Sequence, residues 1–390
     1  MSFAAELVPR DVPEGAPFQP WRLVARDLLE FAKLGDSTAV SDAQLEYLAG
    51  LALLAPSTHN TVPLRMRFSR SGEESAIHFA VDRTAVLPQS DPVGRQATVS
   101  IGAAIANAML AARRYGLTPS LAVDEDAEVR VKPATAGAAP IVEVAILSVR
   151  AAAPGSGSAD AARWVVAMLR RKMLRAEYDE RIKLDPSLAD ELADIVKATA
   201  PGLMLHLISD APTLLALGKF QELADSTVIN RANFARELAD WLLENDSARD
   251  VGMRGREFGL SDEAAARFRA GLAGTGPLLP DETVAFAKSG NLGMRSSSAV
   301  AVVSVARDDL AHRIAAGRAF EEMALRLSFD GYFVAMHAGI TEVDAPNMAL
   351  RGRLRTFERP TVVFRIGKPL HPSDGERPHA SRPPLASLLY

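Results

Sequence analysis

Leu54-Ala55-Pro56-Ser57-Thr58-His59-Asn60-Thr61-Val62-Pro63-Leu64-Arg65 divides two kinds of sequence. Upstream, residues 42–54 carry Leu and Ala at helical spacing; downstream, residues 65–68 read as a short strand. Pro56 stops the helix, because it has no N–H to donate and pushes Ala55 toward extended geometry. Ser57, Thr58, His59 and Asn60 then place four short polar side chains between two apolar elements. A loop held so can present donors and acceptors to a planar polar ligand. The same residue types are ordinary turn formers, so residue type alone leaves both readings open.

The surrounding chain is patterned twice over. Residues 1–20 are Pro-rich and irregular, and 21–31 have helical spacing. After the polar loop, strands are expected over 65–68 and 76–81, joined by a turn at 69–75. A helix is expected over 94–115, stopped by Gly116, and an apolar strand over 141–149, opened by Pro140. Small residues over 151–158 read as a linker. Beyond it the order returns: a helix at 188–199 stopped by Ala200-Pro201, a strand at 299–305, a helix at 309–329, and a strand at 361–366 opened by Pro360. Ala316, Phe320, Met323, Ala324 and Leu327 stand 215 positions after Ile101, Ile105, Ala108, Met109 and Ala112. Gly317 likewise answers Gly102, and Gly331 answers Gly116. These matches predict an internal duplication, with halves at 1–150 and 159–390. Residues 244–296, with no partner in the first half, read as either a lid or a surface loop.

Ala55-Pro56-Ser57-x-x-Asn60-x-x-Pro63, set between a helix and a basic strand, resembles the nitroreductase family of flavin proteins. Val62 stands where that family usually has Gln, and Leu64 where it has Trp. The duplication resembles the family's Acg-type branch, in which one chain supplies both halves of a dimer-like body. The resemblance implies an α+β fold with mixed or antiparallel sheets packed with helices, a pseudo-dimer in one chain. It also implies FMN as cofactor, held partly by Pro56, Ser57, Thr58 and Asn60.

The second half lacks that loop's Ser and Asn, reading Ala200-Pro201-Gly202-Leu203-Met204-Leu205-His206. It brings instead Arg170-Arg171-Lys172-Met173-Leu174-Arg175, a dense basic run in a chain of net charge −4. Two guanidinium groups suit a phosphate dianion, whereas a solvated helix face paired with Glu177, Asp179 and Glu180 is the plainer alternative. In the resemblance, Arg171 and Arg175 match the charged positions of a phosphate-binding segment, Met173 replaces its Ser, and Arg382 matches a terminal basic residue. Val334-Ala335-Met336-His337-Ala338-Gly339-Ile340 corresponds to backbone along the flavin edge, so His337, Ala338 and Gly339 complete one composite site. Read without the resemblance, Gly339 simply turns the chain.

Composition narrows the chemistry. The 390 residues are 48% hydrophobic and 24% charged, as in ordinary globular proteins, and long enough for more than one domain. The acidic balance points away from nucleic acid and anionic membrane. Cys is absent, which removes disulfides, thiolate metal sites and Cys nucleophiles. The seven His residues have no ligand spacing, so no metal is expected. No basic-then-apolar leader and no run of about 18 apolar residues occur, which predicts a cytoplasmic protein. The expected activity is transfer of two electrons from NAD(P)H through FMN to a nitro compound or quinone. No side chain is required as acid or base, and the partners are small molecules. The body is either a monomeric pseudo-dimer or a homodimer. Two further readings stand beside it: a protein that only binds or sequesters FMN, and a scaffold without cofactor.

Overall fold

The computed structural model describes residues 40–135, 137–152, 161–377 and 379–390. The arm at 1–20, the helix expected at 21–31 and most of the linker at 151–158 lie outside the described residues.

Helix α1, Asp42–Ala52, starts at a reciprocal cap. Ser41 Oγ accepts from the Gln44 N–H at 3.2 Å, and Gln44 Oε1 accepts from the Ser41 N–H at 2.8 Å. The helix buries Leu45, Leu48 and Leu51 against the first sheet's core. Strands β1, Leu64–Ser71, and β2, Glu74–Asp82, form a hairpin turning at Gly72. Helix α2, Arg95–Arg114, then leads to β3, Leu117–Val123, and β4, Ile141–Ala151. These strands make an antiparallel sheet in the order β1-β2-β4-β3.

Helices α3, Ala161–Arg170, and α4, Pro186–Thr199, precede β5, Leu203–Ile208. Helices α5, Ala211–Ile229, and α6, Ala232–Trp241, follow, then a short parallel pair, β6 at Leu242–Leu243 and β7 at Met253–Arg254. Helices α7, Asp262–Ala273, and α8, Pro280–Arg295, lead to β8, Ala299–Val305. The chain closes with α9, Leu310–Ser328, β9, Phe333–Met336, the single turn α10, Gly339–Glu342, α11, Asp344–Leu354, and β10, Arg359–Gly367. The second antiparallel sheet runs β5-β8-β10-β9. Both sheets therefore place their strands in the same chain order, with one long helix, α2 or α9, between the second strand and the third.

Those two helices pack on each other. A Cβ added to Gly102 would stand 2.1 Å from the Ile314 carbonyl oxygen, and one added to Gly317 would stand 2.0 Å from that of Val99. Each glycine meets the residue three positions before the other, a reciprocal contact of the kind a two-fold axis produces. Only the absence of a side chain lets the backbones approach so closely.

Strands β1 and β2 join directly at Gly72, whereas β5 and β8 are separated by α5 to α8, a stretch that contains the expected insertion at 244–296. Strand β3 was also not anticipated, because Pro119 sits inside it. It is an edge strand, where a missing N–H is tolerated.

Candidate functional site

The polar loop is held in a conformation that ordinary residues avoid. His59, Asn60 and Val62 have φ of 49°, 52° and 49°, in the left-handed region, and a β-branched residue such as Val62 is rarely placed there. Side-chain bonds fix the turn: Ser57 Oγ accepts from the Val62 N–H at 2.9 Å, and Thr58 Oγ1 donates to Gln96 Oε1 at 2.7 Å. Pro56, Ser57 and Thr58 face a cavity of about 1220 Å³, lined by both halves of the chain.

Met173, Arg175, His337, Ala338 and Gly339 line the same cavity. Segment 173–174 runs beside β9, with the Leu174 N–H bonded to the Val334 carbonyl at 2.9 Å, which delivers Arg175 to the cavity. The guanidinium of Arg175 stands 5.0 Å from the Phe258 ring centroid and forms no ion pair among the described residues. It is open to the cavity yet deep in the molecule; the surrounding protein lowers its basicity, Glu257 opposes this, and the charge of Arg365 adds to the lowering. Burial and then Arg175 bring the His59 pKa down to about 4. Burial, then Arg365 and Arg175, hold His337 well below the usual imidazole range. Both rings are therefore neutral at physiological pH, and His337 Nε2 has no hydrogen-bond partner among the described residues. The N–H groups of Ala338 and Gly339, at the start of α10, meet no protein acceptor among the described residues.

Asn60, Arg171 and Arg382 sit behind the loop. Asn60 Nδ2 donates to the carbonyls of Gly252, at 3.0 Å, and Ser381, at 3.1 Å, while its Oδ1 accepts from Arg382 at 2.6 Å. Arg382 also donates to the carbonyls of Leu53 at 2.9 Å and Ala55 at 3.1 Å, and Arg171 donates to that of Leu54 at 2.8 Å. Two guanidinium groups thus cap the carbonyl end of α1, where the helix dipole favours positive charge. Arg171 Nε lies 2.9 Å from Glu321 Oε1, a buried ion contact without hydrogen-bond alignment. Burial raises the Glu321 carboxyl pKa, and Arg171, Asn107 and Arg382 oppose it. The expected phosphate pair is thereby divided: Arg171 is committed to Glu321 and to α1, and Arg175 alone faces the cavity.

Sequence reading missed two cavity groups. Arg365 interrupts the apolar run of β10, a signal legible as a charge in a strand covered on both faces. Asp225, on α5, donates nothing and accepts from Gln221 Nε2 at 2.7 Å; burial raises its pKa to about 7. Phe234, Phe258, Phe268 and Phe286, all from the segment between β5 and β8, complete an apolar wall. Among the described residues no helix is long and apolar enough to cross a membrane.

Fold and cavity together define an α+β protein with antiparallel sheets and a large cavity edged by cationic and neutral imidazole groups. No family model matches the chain. Two uncharacterized proteins of Mycobacterium tuberculosis, from strains CDC 1551 / Oshkosh and ATCC 25618 / H37Rv, are each 40% identical over 55 residues. That stretch is 14% of this chain and 16% of theirs, so the match spans about a sixth of the relatives' length. Among solved structures, the FMN-dependent nitroreductase NfnB of Mycobacterium smegmatis, in complex with NADPH, is 12% identical with a TM-score of 0.35. The superposition covers 56% of this chain and 92% of that one. The FMN- and NADPH-dependent nitroreductase NfnB from sphigopyxis sp. strain HMH is 16% identical with a TM-score of 0.37, covering 57% and 96%.

Proposed function

We propose that the chain binds one FMN non-covalently in this cavity and passes two electrons from NAD(P)H to a small oxidised acceptor, a nitro compound or a quinone. The observation that carries the reading is the convergence on one cavity of loop 56–58, Arg175 and the unpaired N–H groups of Ala338 and Gly339. The groups that face the cavity suit FMN: a cation for its phosphate, the Ser57 and Thr58 oxygens for its polar ring edge, and main-chain N–H groups for a ring nitrogen. FMN supplies the hydride chemistry when bound. Ser57 and Thr58 orient the ring's polar edge, and Arg175 neutralises phosphate charge. Arg171, Arg382 and Asn60 act behind them by holding α1 and the loop, and the phenylalanine wall excludes water. The matching strand orders and the reciprocal Gly102–Gly317 contact support an internal duplication, with one complete site and one degenerate one.

A second reading, in which the protein sequesters FMN without turning over, draws on the same phenylalanine wall, which restricts access by NAD(P)H. The test is a fluorescence titration of flavin-free protein with FMN, followed by anaerobic addition of NADH or NADPH. Binding of FMN, weakened about tenfold or more by Arg175→Ala, is expected, with bleaching of the bound flavin's visible absorption for a reductase. Bound flavin that no nicotinamide bleaches selects sequestration, and no flavin binding by the parent protein overturns both readings.

A further inference from the structure

Arg365 lies on the second sheet's central strand β10, on the face turned toward the cavity with Thr361 and Val363. Its neighbours Phe364 and Ile366 enter the core on the opposite face. The side chain is only 4% exposed. Nη2 donates to the carbonyl of Ala176 at 2.8 Å, and the guanidinium carbon lies 4.1 Å from the Tyr178 ring centroid. Nε and Nη1 have no hydrogen-bond partner among the described residues. No carboxylate pairs with Arg365 among the described residues, while Arg175, His337 and Tyr178 feel its charge. The Tyr178 hydroxyl donates to the Leu174 carbonyl and is held neutral, its pKa pushed up to about 12 by burial. Gly293 on α8 leaves room at the guanidinium, since a Cβ there would stand 3.1 Å from Nε.

A buried cation with two unused donors and no paired carboxylate among the described residues is a costly arrangement to keep for stability alone. Apolar strand positions of this kind are filled by Val or Ile at no such cost, as Val363 shows two residues earlier. The unmet demand is for negative charge, and the planar fork of a guanidinium matches two oxygens of one acid group.

We propose that Arg365, flanked by His337, is a binding site for an oxyanion group, a carboxylate or a phosphate, of a ligand occupying the cavity. The site is additional to Arg175 and goes beyond the assignment of FMN. If the oxyanion belongs to the acceptor, the cavity prefers acidic acceptors over neutral ones of equal size; if it belongs to the cofactor, Arg365 is a second phosphate anchor.

The probes are benzoate, its neutral isostere benzamide, FMN and riboflavin, titrated calorimetrically into the full-length parent protein, Arg365→Gln and Arg365→Lys. The Gln variant melts at or above the parent, because it removes an uncompensated charge, and this establishes that it is folded. Benzoate binding to the FMN-loaded parent, absent for benzamide, at least tenfold weaker in Arg365→Gln and partly kept in Arg365→Lys, supports the site and assigns it to a second ligand. Loss in Arg365→Gln of the preference for FMN over riboflavin supports the site and assigns it to the cofactor phosphate. A Gln variant that keeps both the parent's benzoate affinity and its FMN-to-riboflavin ratio overturns the proposal. Benzoate binding that depends on Arg365 in a protein that takes no flavin would refute the proposed function and leave this site standing.

Discussion

Gly317→Ala is the substitution whose cost the structure fixes most directly. The new Cβ would lie 2.0 Å from the Val99 carbonyl oxygen, and Cβ contacts essentially never fall below 3.0 Å, so α2 and α9 must part by about 1 Å. An opening of that size forfeits a quarter to a half of the dispersion well at each contact along the crossing. The atom struck belongs to the main chain and cannot rotate away, so the upper part of the overpacking range applies, about 3 kcal/mol. Alanine returns about 1 kcal/mol of helix propensity. The net loss is then about 2 kcal/mol. Urea unfolding followed by circular dichroism measures it, with Gly50→Ala as the contrast: nothing lies within 4 Å of that Cβ, and the same exchange in α1 stabilises by about 0.5–1 kcal/mol. Gly102→Ala repeats the loss from the other side, its Cβ 2.1 Å from the Ile314 carbonyl oxygen. The double variant loses less than the two singles added, because the helices need part only once. A Gly317→Ala protein as stable as the parent, or fully additive losses, would show that the helices do not cross at this distance.

Arg171→Met leaves Glu321 buried without its ion contact and the α1 carbonyl of Leu54 without one of its donors, and costs about 3–5 kcal/mol in the same urea assay. Adding Glu321→Leu recovers more than half of that loss; a double variant no better than Arg171→Met would mean that the pair is not the source of it. Asp225 has a folded pKa of about 7, above its unfolded value, through burial. Between about pH 4 and 7 the folded protein holds a proton there that the unfolded chain has released, so the group's contribution to stability declines as pH rises through that window. Asp225→Asn removes the decline, and its stability relative to the parent rises from pH 5 to pH 8; equal differences at the two pH values would refute the assignment.

Local chemistry made the frame legible. Pro56 and Pro201 stop helices, Gly116 and Gly331 end the two long ones, and the apolar spacing of α2 and α9 marks each as a helix. The loop at 57–60 could be found because four polar residues follow a helix stop. What remained hidden depends on contacts between residues remote in sequence. Arg171 and Arg175 look alike within one basic run; only the fold reveals that Glu321, 150 positions later, engages one and leaves the other facing the cavity. Helix α5 was missed because it carries apolar residues on more than one side, being pressed between α8 and the second sheet, so no single stripe marks it. Arg365 was passed over although a cation in an apolar strand is visible in the sequence, since its lack of a counter-charge is a property of the packed molecule.

The Gly102–Gly317 crossing joins two stretches of one polypeptide. Dilution cannot separate the two sides of this crossing, as it can in a body assembled from two copies. One codon changes one side of the crossing only. A substitution on α2 is therefore not copied onto α9, and the four helices between β5 and β8 reach the cavity from one stretch of chain.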